Sequence, residues 1–223
     1  GVYALNENPL FPVQAFRTAL NRLRPNGFLR LTRMLRPPAP RDTLKVLTTA
    51  KAALRHQGVN HPADHIIVIR GLTTAAIFIS PKPIAADALD RTRRFCTQRS
   101  FDLVFTPDIQ PDEVNRFNVL PEPVYHSAAM KLFSPQAETF IENYVYDIRP
   151  ATDDRPYFSD FFKFRAVPHL MRPTPGRWLQ VSEWGYLILL AALAQAGLTA
   201  AVLILLPVLI TRPVKQIHSG KLV

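Results

Sequence analysis

The chain has 223 residues, 48% hydrophobic and 20% charged, a balance that excludes a disordered tail and leaves room for one sizeable domain with an appendage. Its 27 lysines and arginines outnumber 17 acids for a formal net charge of +10, which points to an anionic partner such as nucleic acid or a lipid surface. A single cysteine, Cys96, excludes an internal disulfide framework and any multi-cysteine metal site, and it permits a reducing compartment.

Residues 1–164 alternate helix and strand signals, as an α/β domain does. Val13, Phe16, Leu20 and Leu23 recur at three and four, so "PVQAFRTALNRL" is an amphipathic helix that "RPNG" stops. "FLRLTRM" follows as a strand. After "PPAP" comes a second helix, whose Val46, Leu47, Ala50, Ala53 and Leu54 share one face until Gly58 closes it. "HIIVIR" and "TAAIFIS" are strands separated by Gly71, Leu72 and Thr73, a link too short for anything but an antiparallel hairpin. This order is the ending expected of a mostly parallel sheet with one reversed edge strand. "ADALDRTRRFCTQRS" is helical and "FDLVFTP" extended, and residues 107–150 are loop and short helix. Cys96, in the helix without an evident base beside it, is a packing residue.

The stretch "RPATDDRPYFSDFFKF" sets Asp153 and Asp154 beside Arg155, between Pro150 and Pro156. Thr152 or Asp153 can cap a turn here, and either acid can pair with Arg155 or Arg149, while the prolines fix the path. Tyr157, Phe158, Phe161, Phe162 and Phe164 then bury against the domain or lie at a membrane interface. A stiff structural collar is the preferred reading. An acidic pair that attracts a polyamine-like cation is the functional alternative.

From Gly185 to Ile210 no side chain is charged, enough to cross a hydrocarbon core of about 30 Å at about 1.5 Å per helical residue. Trp178, Trp184 and Tyr186 stand at its start, and Arg212, Lys215 and Lys221 follow it as interfacial anchors. Ala192, Ala196 and Ala200 recur at four with Gly197 alongside, a strip that admits another transmembrane helix at close range. Ten basic residues between Arg17 and Arg55 face the single acid Asp42. Without interleaved aromatics or a reading module they do not describe a nucleic-acid site, and a lipid-facing or solvated surface is expected, where each charge near an anionic leaflet gains roughly 1 kcal/mol.

The run "GVYALNENPLFPVQAFRTALNRLRPNGFLRLTR", the hairpin "HIIVIRGLTTAAIFIS", the loop "NRFNVLPEP" and above all "RPATDDRPYF" ahead of an apolar helix resemble integral-membrane proteins of the spermidine-synthase-like, S-adenosylmethionine-type methyltransferase fold. The resemblance implies a partial Rossmann-like domain over 1–106, the C-terminal half of that sheet ending in an antiparallel hairpin. It further implies a loop and short-helix extension over 107–164, a juxtamembrane linker over 165–184, a transmembrane helix over 185–210 and a basic tail over 211–223. The glycine loop and strand-end acid that bind S-adenosylmethionine or its decarboxylated form in relatives, and the aspartate that serves amine transfer, would lie upstream of Gly1. Residues 1–11 would then be the loop after the active-site strand. Tyr3, Asn6, Glu7 and Asn8 are candidate contacts for a polyamine or other small substrate there, and the same Asn-Glu-Asn-Pro sequence also makes a good turn and helix cap.

The chain itself carries no G-x-G-x-x-G, phosphate loop or G-x-S-x-G pattern. His61 and His65 are four apart, but Pro62 spoils helical geometry for a metal pair, and no metal is expected. Two function classes follow: part of a membrane-bound aminopropyl or methyl transferase, or a non-catalytic transferase-like scaffold on a multi-span protein. In either case the α/β domain is expected on the cytoplasmic side.

Overall fold

A computed structural model describes residues 8–163, 181–205 and 207. The chain divides into two units, Val2–Pro173 and Thr174–Val223.

In the first unit α1 (Val13–Arg22) buries Val13, Phe16 and Leu20, the residues its period selects. No side chain caps it; the first helical N–H, that of Val13, donates to Ala151 O at 2.8 Å. Strand β1 (Leu29–Met34) alternates half-buried and exposed positions, and α2 (Asp42–His56) then crosses back over the sheet. The five residues expected on the inner face of α2 are 0–1% exposed. Gly58 ends the helix at φ +84°, with its N–H donating to Arg55 O, a backbone state that glycine adopts without penalty. A 3₁₀ turn, Pro62–His65, leads into β2 (Ile66–Arg70), and β3 (Thr74–Ile79) returns as the expected hairpin, closed by Gly71 N–H to Thr74 O at 2.9 Å. Then come α3 (Ala86–Arg99), ended by Ser100 at φ 54°, and β4 (Asp102–Phe105), followed by α4 (Val124–Phe133) and α5 (Ala137–Asn143).

The sheet order is β1-β3-β2-β4, and every pairing is antiparallel. The unit is thus mixed α/β, but the expected mostly parallel sheet with a reversed edge strand is corrected. The short hairpin link forces β3 against β2, and the α2 crossover sets β1 down one place further out, so β3 runs opposite to both neighbours in the interior and β4, at the far edge, shares its direction. Leu29 and Ile66 both face Ile79 across it.

Alternation along the strands separates two cores. Ile66, Val68, Ala75, Ile77 and Ile79, all fully buried, lie in one with α1, α2, α4 and the 144–161 segment. Ile67, Ile69 and Leu103 form the smaller second core with Leu89 and Cys96 of α3. Cys96 is a packing residue, and burial pushes its thiol up to about 11. His65 Nδ1 lies 3.0 Å from Ser80 O, tying the 3₁₀ turn to the end of β3.

One buried ion pair organises the loop after β4. Asp102, 1% exposed, accepts the N–H groups of Arg116, Phe117 and Asn118 at 2.6–2.8 Å and stands 3.3 Å from the Arg70 guanidinium. Arg70 also donates to Asn115 Oδ1 and Asn118 O. Burial alone would raise the Asp102 pKa; the bonds from Phe117 and Asn118, with Arg70, outweigh it and hold the carboxyl below its ordinary range. Full satisfaction is what makes such a pair tolerable in a core.

The second unit is α6 (Val181–Ala200), continued by a π-helical turn Ala201–Leu205. Its window Ile188–Leu205 has mean hydropathy 2.3 with none of it buried, so by length and composition it is one helix long and apolar enough to cross a membrane. Thr199 satisfies its hydroxyl on Gln195 O at 2.8 Å within the helix.

Candidate functional site

The "TDDR" stretch is a tight turn. Arg155 N–H donates to Thr152 O at 2.9 Å, and Asp153 and Asp154 occupy its exposed tip. Its two flanks hold the start of α1: Ala151 O takes the Val13 N–H, and Pro156 O takes the Asn8 N–H at 3.2 Å. Gln14 Oε1 in turn accepts Asp153 N–H at 3.3 Å. The structure therefore brings together two segments the sequence singled out separately, the Asn8 loop and the acidic motif. Asn8 Oδ1 accepts Leu10 N–H at 3.2 Å, which makes it a turn residue leading into α1. Tyr3, Asn6 and Glu7 lie outside the described residues.

The pairing expected within the motif is corrected. Arg149 and Arg155 both reach back to Asp147: Arg149 Nε donates to its Oδ1 at 2.9 Å, and the Arg155 guanidinium stands 3.5 Å from its Oδ2. The reason is burial. Asp153 and Asp154 project from a turn into water, which already solvates them, whereas Asp147 is 5% exposed and gains from every cation near it. Desolvation would raise the Asp147 carboxyl, but hydrogen bonds from Arg149 and the charges of Arg149 and Lys45 bring it below its ordinary value.

Behind Asp147 sits Lys45 of α2, 4% exposed. Its ammonium donates to Asp160 O at 2.6 Å and to Tyr157 O at 3.4 Å, and it lies 4.9 Å from the Phe161 ring centroid. Burial lowers its pKa to about 8, against the pull of Asp147 and Asp160. Arg41, 8% exposed, lies 4.9 Å from the same ring and 3.5 Å from Asp42. Arg33 from β1 stacks 3.9 Å above Phe11, whose ring is 4.4 Å from Phe158. Phe158 and Phe161 are thus buried against the domain, the first of the two environments expected for the aromatic run; Phe164 lies outside the described residues.

Backbone and side-chain ties lock the whole segment down. Asp147 N–H donates to Phe161 O, Thr48 Oγ1 to Ile148 O, and Lys163 Nζ to the carbonyls of Ile141, Glu142 and Tyr144 that end α5. Of the ten basic residues expected on a surface, Arg17, Arg22, Arg24, Arg30, Arg36 and Arg55 are exposed and Arg33 is half-buried, whereas Arg41, Lys45 and Lys51 are buried in the fold.

Chemically, an amine with a pKa near 8 beside two carboxylates could act as a base or nucleophile. The space says otherwise: the cavity lined by Lys45, Asp147, Arg155, Tyr157 and Asp160 holds about 30 Å³, room for about one water and no substrate. Lys45 and Asp147 escaped the sequence reading. The signals were an acid two residues before Arg149 and a lysine on a helix whose every turn is apolar.

Nor do the described residues fit an adenosyl group. Gly27 precedes β1, Gly58 closes α2, Gly71 turns the hairpin and Gly197 lies within α6, so none opens a helix onto a phosphate or ribose. Comparison with family profiles, curated protein sequences and solved structures gave no match.

Proposed function

We propose that the chain is the C-terminal part of a membrane-bound transferase similar to spermidine synthases, in which the acidic motif is a collar rather than a catalytic element. The observation that carries the collar is the Asp147 clasp. It ties the motif to Lys45 of α2, while Ala151 O holds the start of α1 and Lys163 the end of α5, in the same stretch of sequence that leads on to α6. The transferase identity rests on the sequence resemblance, and the β2–β3 hairpin is compatible with it. An unburied apolar helix, α6, supports anchorage in a bilayer, where its alanine strip would receive other membrane helices. The α/β unit would face the cytoplasm, where adenosyl-sulfonium donors are made. S-adenosylmethionine or its decarboxylated form would be held outside the described residues, and the amine acceptor near the loop that contains Tyr3, Asn6 and Glu7.

A second reading is favoured by one specific observation. Lys45 and Asp147 both find their partners inside the fold, around a cavity of about 30 Å³, which suits a non-catalytic scaffold equally. Calorimetric titration of the full-length protein in nanodiscs with S-adenosylmethionine and with its decarboxylated form separates the two. Saturable heat with either donor supports the transferase, and none with both leaves the scaffold. Recovery of the chain in the soluble fraction after alkaline carbonate washing of membranes would refute the anchorage.

A further inference from the structure

A groove between α2, α5 and the segment 147–150 is lined by Lys51, Arg55, His56, Glu138, Ile141 and Arg149 and encloses about 550 Å³. That is within the range of small-ligand sites, roughly 300–1,000 Å³. Lys51, Arg55 and Arg149 line it with one acid, Glu138, and Asp147 pairs with Arg149 from behind, which leaves a net of +1 from +3 and −2. Like charges gathered this way repel unless an anion joins them.

The cations differ in how they are held, and the differences favour a built site over a solvated surface. Lys51 is 7% exposed and donates to Leu132 O at 2.7 Å, in the last turn of α4, so the ammonium is stationed in the wall with two protons still to place. Its pKa is lowered, by burial first and by Arg55 next, against the pull of Glu138. Arg149, which also lines the groove, is gripped by Asp147 through Nε and one terminal nitrogen, which fixes the guanidinium plane. Arg55 is exposed and free to close over whatever enters. Ala52, Ile141 and Pro150 give the groove an apolar flank.

From this arrangement we infer that the groove binds a phosphate-bearing anion, with a phosphomonoester contacted by Lys51, Arg55 and Arg149 and a short organic group against the apolar flank. Arginine forks and a lysine point charge suit three tetrahedral phosphate oxygens, and an anion offsets the positive charge of the lining. This inference does not depend on the transferase reading. The phosphomonoester could belong to a soluble metabolite or to a lipid headgroup.

The test uses the full chain in nanodiscs of zwitterionic lipid, titrated calorimetrically with inorganic phosphate and with glycerol 3-phosphate. A parallel arm measures its binding to vesicles that contain phosphatidic acid. Arg55→Gln and Glu138→Gln alter exposed positions and leave the fold intact; Arg99→Gln, on α3 beyond the other sheet face, removes the same charge elsewhere. Loss of one charge-assisted contact predicts about tenfold weaker binding for Arg55→Gln, tighter binding for Glu138→Gln and no change for Arg99→Gln. That pattern with glycerol 3-phosphate identifies a soluble phosphoester site; the same pattern confined to phosphatidic acid vesicles identifies a headgroup site. If neither probe responds to the two groove variants, or if Arg99→Gln weakens binding as much as Arg55→Gln, the site does not exist.

Discussion

Replacing Asp147 by asparagine is the most direct probe of the clasp, because it keeps the shape and one acceptor and removes the charge. The buried carboxylate serves the Arg149 guanidinium through three contacts and the Arg149 N–H through a fourth, with Lys45 behind it. Hydrogen bonds to charged groups are worth about 1.5–3 kcal/mol. The Arg149 side chain is 51% exposed and Arg155 58%, so solvent screening limits the longer Arg155 pair to under about 1 kcal/mol. Asp147→Asn should therefore cost about 2–3 kcal/mol, and Arg155→Gln about 0.5–1. Asp153→Asn and Asp154→Asn, at the turn tip, should stay within about 0.5 kcal/mol. At about 2–4 °C per kcal/mol for a domain of this size, Asp147→Asn should lower Tm by about 4–12 °C in detergent, read by circular dichroism. The sign with pH follows from the depressed carboxyl. Its contribution is present above the ordinary carboxylate pKa, about 3.9, and disappears as pH falls through the lower folded value. The clasp is refuted if either turn-tip variant costs as much as Asp147→Asn, or if Asp147→Asn costs nothing.

Asp102→Asn leaves the Arg70 guanidinium buried without its counter-charge and should cost about 3–5 kcal/mol, measured by denaturant or thermal unfolding; a cost near zero would show that the loop 115–118 holds itself. Lys45 has a folded pKa of about 8 against 10.5 unfolded, so its burial penalty is full below pH 8 and eases above it. Wild type should gain stability relative to Lys45→Met between pH 8 and 9.5, and a constant difference would contradict the buried amine. Gly58→Ala meets no atom within 4 Å and should cost about 1–2 kcal/mol from backbone conformation alone, checked by Tm.

Local signals carried most of the fold. The period of α1, the inner face of α2 and its glycine stop, and the three-residue hairpin link each sit within a few residues of the structure they specify. Strand order did not follow, because it depends on where α2 sets β1 down relative to the hairpin. A local pattern says that β2 and β3 are antiparallel, yet it is silent on whether β3 is an edge or the strand between two others.

The site was harder to read for a related reason. Asp153, Asp154 and Arg155 draw the eye because charges adjacent in sequence suggest a pair, but adjacent residues in a tight turn point apart, and an exposed carboxylate gains little from a neighbour that water already replaces. The energetic weight falls instead on Asp147, which the fold has taken out of water and must compensate with Arg149, Arg155 and Lys45. Arg149 and Arg155 lie within eight residues of it and Lys45 is supplied by α2, so the clasp shows only once Asp147 is buried and α2 is in place. The same reasoning divides the basic residues. Arg41 and Lys45 look in sequence like Arg17 and Arg22, and only their burial in the fold separates charges that hold it together from charges left to meet an anion.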